Sequence, residues 1–205
     1  MLKNLLIFAS SVTLATIILG ISVFRLAGIK YVFSQSPSPA PGIVKPISVD
    51  YRLPYPGQIT PDNVLWPIKA LRDKLWLSLT INPSKKADLE LLIADKRLAD
   101  AKLLFEEQNA DLAISVLTKA EKYLENAGQD AQIAKKEGMN TQDFLRRYAL
   151  ATLKHREVLD EILAIAPEDA KPFIVKTEDY PKRLYTNARD GLLEAGANVP
   201  QNPFE

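Results

Sequence analysis

Apolar residues recur at three- and four-residue steps through most of the chain beyond its proline-rich stretch, and this is the period of an amphipathic α-helix. The first predicted helix runs from Asn63 to about Thr80, and its apolar stripe consists of Leu65, Ile68, Leu71, Leu75 or Trp76, and Leu79. Its charged residues fall largely outside that stripe, which is typical of a helix that packs by its apolar side. Asn82 followed by Pro83 ends the helix.

Four further helices are predicted by the same period, at Ser84 to about Gln108, Asn109 to Gly138, Thr141 to Ile165, and Glu168 to Ala195. Only a few residues separate the second helix from the third, which predicts an antiparallel hairpin. Pro181 should kink or split the last helix. Strand signals are nearly absent. The sequence therefore predicts an all-α fold, a four- to five-helix antiparallel bundle behind an N-terminal transmembrane helix and a Pro-rich linker.

The residues before the helices indicate a membrane segment and a spacer. Leu5 to Phe24 is a run of 20 residues without a charge, and such a helix is about 30 Å long, the thickness of a bilayer core. A cleaved signal peptide is the rival interpretation, but its apolar stretch is usually shorter. Ser34 to Ile47 contains four prolines, which predicts an extended spacer that holds the domain off the membrane. The predicted division is 1–30 anchor or signal segment, 31–49 linker, 50–198 helical bundle and 199–205 frayed tail.

The predicted anchor makes the lipid bilayer a partner of the chain through Leu5 to Phe24. Lys3 precedes this span, whereas Arg25 and Lys30 follow it, and this charge bias favours a cytoplasmic domain. Long domains, however, translocate with little regard to flanking charge. We therefore expect a single-pass membrane protein whose soluble domain is extracytoplasmic.

The charge balance and the lack of cysteine exclude some classes of partner and some kinds of site. Lys and Arg total 26 against 25 Asp and Glu, and three of the positive charges lie in the first 30 residues, which contain no acid. The remainder therefore carries 23 minus 25, or −2, which argues against a phosphate-backbone binder and so against nucleic acid. The chain has no cysteine, which excludes disulfides, thiolate metal sites and a thiol nucleophile.

No group of residues in the sequence forms a recognisable catalytic, cofactor or metal site. His155 is the only histidine, and its place on an apolar stripe favours a core histidine over a catalytic base. Glu-x-x-His pairs, which build metal centres in bundles, do not occur, and the glycines form no nucleotide-binding loop. The alternating charges of the second helix predict a solvated face, made of Asp88, Glu90, Asp95, Asp100, Glu106 and Glu107 among Lys85, Lys86, Lys96, Arg97 and Lys102. The sequence thus predicts no enzyme, no cofactor and no metal.

The stretch before the first helix is stiff and aromatic. Tyr51 to Gly57 contains two prolines, so it loses little entropy on packing, and we expect it to cross the helices as a structural strap. Trp66 and Trp76 are ten residues apart, so they point about 80° from each other and one should remain at the surface. The predicted partner or ligand surface consists of Tyr51, Tyr55, Trp66, Arg72 and Trp76.

The same region carries a resemblance to a known family. Its elements are Leu53-Pro54-Tyr55-Pro56-Gly57, Pro61-Asp62-Asn63, Lys69, Arg72-Asp73, Pro83, Lys86-Ala87-Asp88-Leu89 and Ala94-Asp95-Lys96-Arg97-Leu98. Together they resemble the bacterial domain-of-unknown-function 5667 family, over about Asp50 to Ala127. The resemblance implies a helical domain, generally behind a membrane segment or signal. It brings no assigned activity, so it transfers no catalytic residue.

Two classes of function are compatible with these residues. The first is a membrane-tethered helical interaction or scaffold module at the cell envelope, without catalysis and with a protein partner. The alternative is a sensory or ligand-binding extracytoplasmic domain that holds a small molecule or peptide between the first helix and the strap. A scaffold predicts an exposed apolar patch, whereas a ligand binder predicts an enclosed pocket between Trp66 and Tyr55.

Overall fold

The computed structural model describes residues 48–205, and this part of the chain contains six α-helices. They are α1 (Trp66–Leu79), α2 (Pro83–Glu106), α3 (Ala110–Lys136), α4 (Gln142–Ile165), α5 (Lys171–Thr177) and α6 (Asp179–Glu194). The predicted transmembrane helix, Leu5 to Phe24, and the linker from Ser34 to Ile47 lie outside the described residues. None of the six helices combines the length and the apolar character that crossing a bilayer requires.

The all-α prediction is confirmed, and residues 48–205 contain no β-strand. The first four helices begin and end within three residues of their predicted limits. The predicted last helix is two helices, and the break falls at Glu178 rather than at Pro181. Pro181 lies in the first turn of α6, where a backbone N–H has no partner within the helix, so the proline fits without breaking it.

The hairpin of α2 and α3 forms one side of the bundle. Three residues join the two helices, which therefore run antiparallel and pack along their length. Alanines without any solvent exposure lie along the seam, at positions Ala94, Ala101, Ala113, Ala120 and Ala127. Because alanine projects so little, the two backbones approach closely. Helices α4 and α6 pack on each other and complete the bundle against α2 and α3.

The predicted strap crosses this bundle before the first helix, and it is longer than the predicted Tyr51 to Gly57, since it covers residues 49–59. The Val49 N–H donates a hydrogen bond of 2.7 Å to Glu157 Oε2 on α4, and the Tyr51 hydroxyl donates one of 2.6 Å to Asp95 Oδ2 on α2. Val49 is buried although it was assigned to the linker. The strap is therefore attached to two helices from its first residue.

The last residues of the chain also pack on the bundle, although they were predicted to fray. Tyr185 of α6 donates a hydrogen bond of 2.9 Å to the Pro200 carbonyl. The guanidinium of Arg156 on α4 lies 4.1 Å from the centroid of the Phe204 ring. Phe204 and Val199 are partly buried against the core. An aromatic side chain near the end of the chain thus supplies the apolar contact that the sequence pattern alone did not predict.

Candidate interaction surface

Helix α1 packs on the bundle through a side of mixed character that includes the charged Lys69 and Asp73. Its buried residues are Ala70 and Asp73, and half-buried Trp66, Lys69 and Leu77 share that side. In the bundle, α1 contacts α2. None of these five residues belongs to the line Ile68, Leu71, Leu75 and Leu79, whereas an ordinary amphipathic surface helix packs by such an apolar stripe.

Lys69 fixes α1 to both the strap and α2. Its Nζ donates hydrogen bonds of 2.9 Å to the carbonyls of Pro56 and Ile59, and lies 3.8 Å from Asp100 Oδ2. Burial raises the pKa of Asp100 to about 6 against the lowering effect of the Lys69 charge. Burial likewise lowers the pKa of Lys69, and Asp100 opposes that shift. The two groups therefore stabilise each other's charged form in a poorly hydrated place.

A second polar contact lies one turn further along α1. Arg97 of α2 is buried and has its guanidinium 3.8 Å from Asp73 Oδ2, while Arg72 binds Asp73 Oδ1 at 2.7 Å. The Arg97 guanidinium also stacks near two aromatic rings, 5.2 Å from the centroid of Trp66 and 5.1 Å from that of Tyr123. Buried charges need partners, and α1 supplies those of Arg97 and Asp100. This requirement sets which side of α1 faces inward.

The apolar stripe of α1 consequently faces solvent. Its four central residues, Ile68, Leu71, Leu75 and Leu79, are exposed by between 57% at Leu75 and 71% at Leu79. Val64 and Ile81, just beyond the two helix ends, are at least nine-tenths exposed, and Leu65 and Trp76 are about half exposed at the edge of the stripe. We call these eight residues the outward face. The expectation that the stripe would pack inward is wrong, because pairing the charges of α2 requires the opposite side of the helix.

The five predicted surface residues have different environments. Tyr51 is half-buried and bonded to Asp95, and Trp66 is half-buried beside the Lys69 and Arg97 cations. Tyr55, Arg72 and Trp76 are exposed. The prediction that one tryptophan remains at the surface is confirmed by Trp76, which is 53% exposed. Their role in binding stays a prediction.

The charged face predicted for α2 is wrong at four of its eleven residues. Glu90, Asp95, Arg97 and Asp100 are buried, whereas Lys85, Asp88, Glu106 and Glu107 are exposed as expected and Lys86, Lys96 and Lys102 are half-buried. The alternation of signs along the sequence suggested i,i+4 pairs on a solvated helix. The partners of the buried residues instead come from other elements, so the signal that would have revealed them is tertiary.

His155 illustrates the same point. It is fully buried, as a core histidine should be, but its Nδ1 lies 2.7 Å from Glu121 Oε1 and its Nε2 lies 3.2 Å from Asp95 Oδ1. Glu121 and Asp95 belong to α3 and α2 and are also buried. No local motif placed a carboxylate beside this histidine. The tertiary structure supplies two, and Asp95 connects them to the Tyr51 hydroxyl of the strap.

The cavities near these residues are small or open. The space between Trp66, Trp76 and α2 has a volume of about 20 Å³, enough for one water. An open groove of about 670 Å³ follows the strap past Tyr51 and Tyr55, and another of about 710 Å³ lies between α3, α4 and α6. Within residues 48–205 no three His, Asp or Glu side chains are arranged to hold a metal ion.

The described residues form an all-α bundle. Its first helix is held by the ion pairs of Lys69 and Asp73 and exposes an apolar stripe to solvent. The chain belongs to the family described as "Domain of unknown function (DUF5667)", which matches residues 58–169 and so more than half of the chain. The predicted family is thereby confirmed, although the match extends further than Ala127 and includes α1 to α4. No curated protein and no solved structure matches the chain.

Proposed function

We propose that this protein is a membrane-tethered helical interaction module at the cell envelope, without catalytic activity, whose binding surface is the outward face of α1. The observation that carries the proposal is the line of Ile68, Leu71, Leu75 and Leu79, all more than half exposed on one side of one helix. Residues at i, i+3, i+7 and i+11 are the anchors with which an amphipathic helix binds an apolar surface.

The energetics favour covering this face. Fully burying one leucine or isoleucine side chain is worth about 1.5 to 3 kcal/mol. Four adjacent side chains of this kind, left more than half exposed, therefore give a binding partner several kcal/mol of apolar contact. Single exposed apolar residues are common on proteins, but contiguous lines of them mark interaction sites.

The tether in this proposal is the run from Leu5 to Phe24, which is long enough to span a bilayer. The domain lies on the extracytoplasmic side, since long domains translocate despite basic residues such as Arg25 and Lys30 behind the span. The absence of catalysis is supported by the burial of His155, because a fully buried imidazole between two carboxylates is unsuited to reach a substrate.

A domain that holds a small ligand between the first helix and the strap has less support. That function requires an enclosed pocket of a few hundred Å³. The cavity beside Trp66 measures about 20 Å³, and Lys69 closes the space between α1 and the strap with two hydrogen bonds.

Two experiments test the proposal on the full chain. The first is membrane fractionation followed by protease treatment of intact and lysed cells, with a tag at the C-terminus. We expect the chain in the membrane fraction and the tag digested in intact cells. A soluble chain would contradict the tether, and protection until lysis would contradict the orientation.

The second experiment places a photo-crosslinking amino acid at position 75 or, as a control, at position 175. Leu75 and Val175 are about equally exposed, on α1 and α5 respectively. We expect adducts from position 75 and few from position 175, because only the first lies on the outward face. Equal yields from both positions would contradict α1 as the binding surface.

A further inference from the structure

We infer that the occupant of the outward face is the surface of the bilayer to which the chain is tethered, and that α1 lies in the plane of that surface among anionic headgroups. This inference rests on the proposed tether and names the partner of the proposed binding surface. It replaces the expectation that the linker from Ser34 to Ile47 holds the domain off the membrane. It assigns α1 to the class of in-plane amphipathic helices, which bury one apolar side about 5 to 10 Å into the headgroup boundary.

The shape of the face fits a flat, soft partner. From Ile68 to Leu79 the stripe spans 11 residue steps, or about 17 Å at the helical rise, and the exposed Val64 and Ile81 extend the apolar positions beyond both ends of α1. The face is a ridge formed by one helix, not a groove, and its side chains project away from the bundle. A bilayer can receive such a ridge along its whole length while the bundle stays in water.

The charges beside the face fit anionic lipids. Between Asp62 and Lys86 the acids are Asp62 and Asp73. Of the basic residues, Lys69 faces inward to Asp100 and Lys86 binds Asp130, so the exposed Arg72, Lys74 and Lys85 are the ones that can face the headgroups. Asp73 is buried and paired with Arg72 and Arg97, so it contributes little negative charge to the surface. A basic residue near an anionic membrane surface contributes about 1 kcal/mol of attraction.

Trp76 is placed as an interfacial anchor would be. It is half exposed at the edge of the stripe, about 100° around the helix from Leu75. Tryptophan is enriched at the boundary between headgroups and acyl chains, where one part of its ring is apolar and its N–H is hydrated. With Leu75 in contact with the acyl chains, Trp76 would lie at that boundary.

A second copy of the chain is a weaker candidate for the occupant. Helix α1 has 14 residues, so it is about 21 Å long and about 10 Å wide. Two such helices in contact cover far less than the roughly 800 Å² per partner of a stable interface. The bilayer has no such limit, and the tether makes its binding intramolecular, so that even a weak contact is occupied.

The test uses the full chain with Trp66→Phe, which leaves Trp76 as its one tryptophan. The protein is reconstituted into liposomes of phosphatidylcholine with about a third phosphatidylglycerol, with or without bromine on the acyl carbons next to the headgroups. We expect brominated lipid to reduce Trp76 fluorescence at least twofold. Liposomes without phosphatidylglycerol should give less quenching, because they lack the anionic charge.

A matched pair of variants controls for the loss of exposed apolar residues in general. Leu71→Ser with Leu75→Ser, both on the outward face, should abolish the quenching. Val175→Ser with Leu193→Ser, which removes two similarly exposed residues from α5 and α6, should leave it unchanged. Circular dichroism of each variant verifies that its helices are retained.

Flotation of the same liposomes tests the tether separately from the contact of α1 with the bilayer. A chain that fails to float lacks the tether, and the proposed function fails with the inference. A chain that floats while Trp76 is not quenched by brominated lipid keeps the tether and overturns the inference alone. Shielding of Trp76 that grows with the protein-to-lipid ratio, without bromine quenching, would make a second copy the occupant and would also overturn the inference.

Discussion

His155 is the residue at which the bundle buries a positive charge between two negative ones. Burial by itself would lower its pKa, but the carboxylates of Glu121 and Asp95 raise it to about 9. The imidazolium can donate a hydrogen bond from both ring nitrogens at once, which a neutral ring cannot do. The three side chains come from α4, α3 and α2, so the contacts of the protonated imidazole connect three helices.

Replacing His155 with Gln should destabilise the protein in a pH-dependent way. The folded-state pKa of about 9 lies above the ordinary 6.5, so the stabilisation is complete below pH 6.5 and is lost as pH rises through 9. The shift corresponds to about 3 kcal/mol. We expect urea denaturation to show a loss of that order at pH 6 and a smaller loss at pH 9.5. The exposed Lys122→Gln serves as the control, and an equal loss at both pH values would contradict the charged network.

Gln108 has a backbone conformation that suits glycine better. Its φ is 62°, and the N–H groups of Gln108 and Asn109 bond to the Phe105 and Leu104 carbonyls to terminate α2. Helices α3 and α6 end in the same way at Gly138 and Gly196. A side chain in this left-handed region is strained, whereas glycine is not.

We therefore expect Gln108→Gly to stabilise the protein by about 0.5 to 1 kcal/mol in urea denaturation, since relief of strain exceeds the added entropy of the unfolded chain. The reverse change at the equivalent position, Gly138→Ala, should destabilise it by a similar amount. If Gln108→Gly lowered stability, an unrecognised contact of the Gln108 side chain would outweigh the backbone term.

At the scale of elements, the contact of α3 with α4 depends on Gly128 of α3, which has no side chain where Tyr148 of α4 approaches. The Tyr148 hydroxyl of α4 donates a hydrogen bond of 2.8 Å to the Leu124 carbonyl of α3. A Cβ at Gly128 would lie 2.6 Å from that hydroxyl oxygen and 3.0 Å from the ring carbon that bears it. Tyr148 is fully buried, so it has little freedom to move.

Gly128→Ala should consequently cost about 1 to 3 kcal/mol of stability despite the better helix propensity of alanine. Adding Tyr148→Phe should recover part of the loss, because the nearest atom is removed. Gly191→Ala is the matched control: its Cβ would meet only Leu145 Cδ1, at 3.2 Å, which a flexible side chain can relieve. Thermal unfolding of the three variants measures these differences, and equal effects at both glycines would contradict the close-approach argument.

The docking of α1 is also an interaction between elements, and Lys69 is its central group. Lys69→Met would remove two hydrogen bonds to the strap and leave Asp100 buried without its cation. Lost hydrogen bonds and a buried unpaired carboxylate should together cost about 1 to 3 kcal/mol. Hydrogen exchange of the α1 amides should accelerate, since a local release exposes them.

Arg72→Met is the control for Lys69→Met, because Arg72 is exposed and its pair with Asp73 should be worth less than about 1 kcal/mol. Combining Lys69→Met with Asp100→Asn should restore part of the stability, since the uncompensated charge is then absent. Without any recovery in the double variant, the pair would not be what holds α1 in place.

Across the whole molecule, several buried groups hold protons more tightly when the chain is folded. The pKa of His155 is raised to about 9 by its two carboxylates against the opposing effect of burial, and burial raises that of Asp100 to about 6. Burial and the neighbouring Asp130 also raise the pKa of Glu90, against the opposing charge of Lys86. For each group, folding takes up protons between its unfolded and folded pKa values, so stability falls as pH rises through that window.

We expect the urea midpoint of the protein to fall from pH 5 to pH 9. Glu90→Gln should flatten this dependence and raise stability near pH 8, because glutamine resembles the protonated carboxyl. Asp88→Asn is the control, since Asp88 is exposed and its removal eliminates no buried charge. A midpoint that rises over this pH range would contradict the three shifts taken together.

Helix positions were predictable because they depend on local periodicity. The limits of α1 to α4 came within three residues from apolar spacing, capping residues and Pro83. The interior of the bundle was harder. Asp95 and Glu121 meet His155 across 60 and 34 residues of sequence, and no local pattern encodes such a meeting.

The same limit explains the orientation of α1. Periodicity establishes that one side of a helix is apolar and another polar, and it does so without reference to other helices. Which side faces inward depends on the side chains of the neighbouring element. Helix α2 places the buried charges of Arg97 and Asp100 against α1. The amino-acid order was therefore sufficient for α1 to α4, the fold class and the family, since these follow from local spacing and motifs. The tertiary structure alone decided that Lys69 and Asp73 pair inward and that Ile68, Leu71 and Leu75 face solvent, because charges removed from water must be matched across elements.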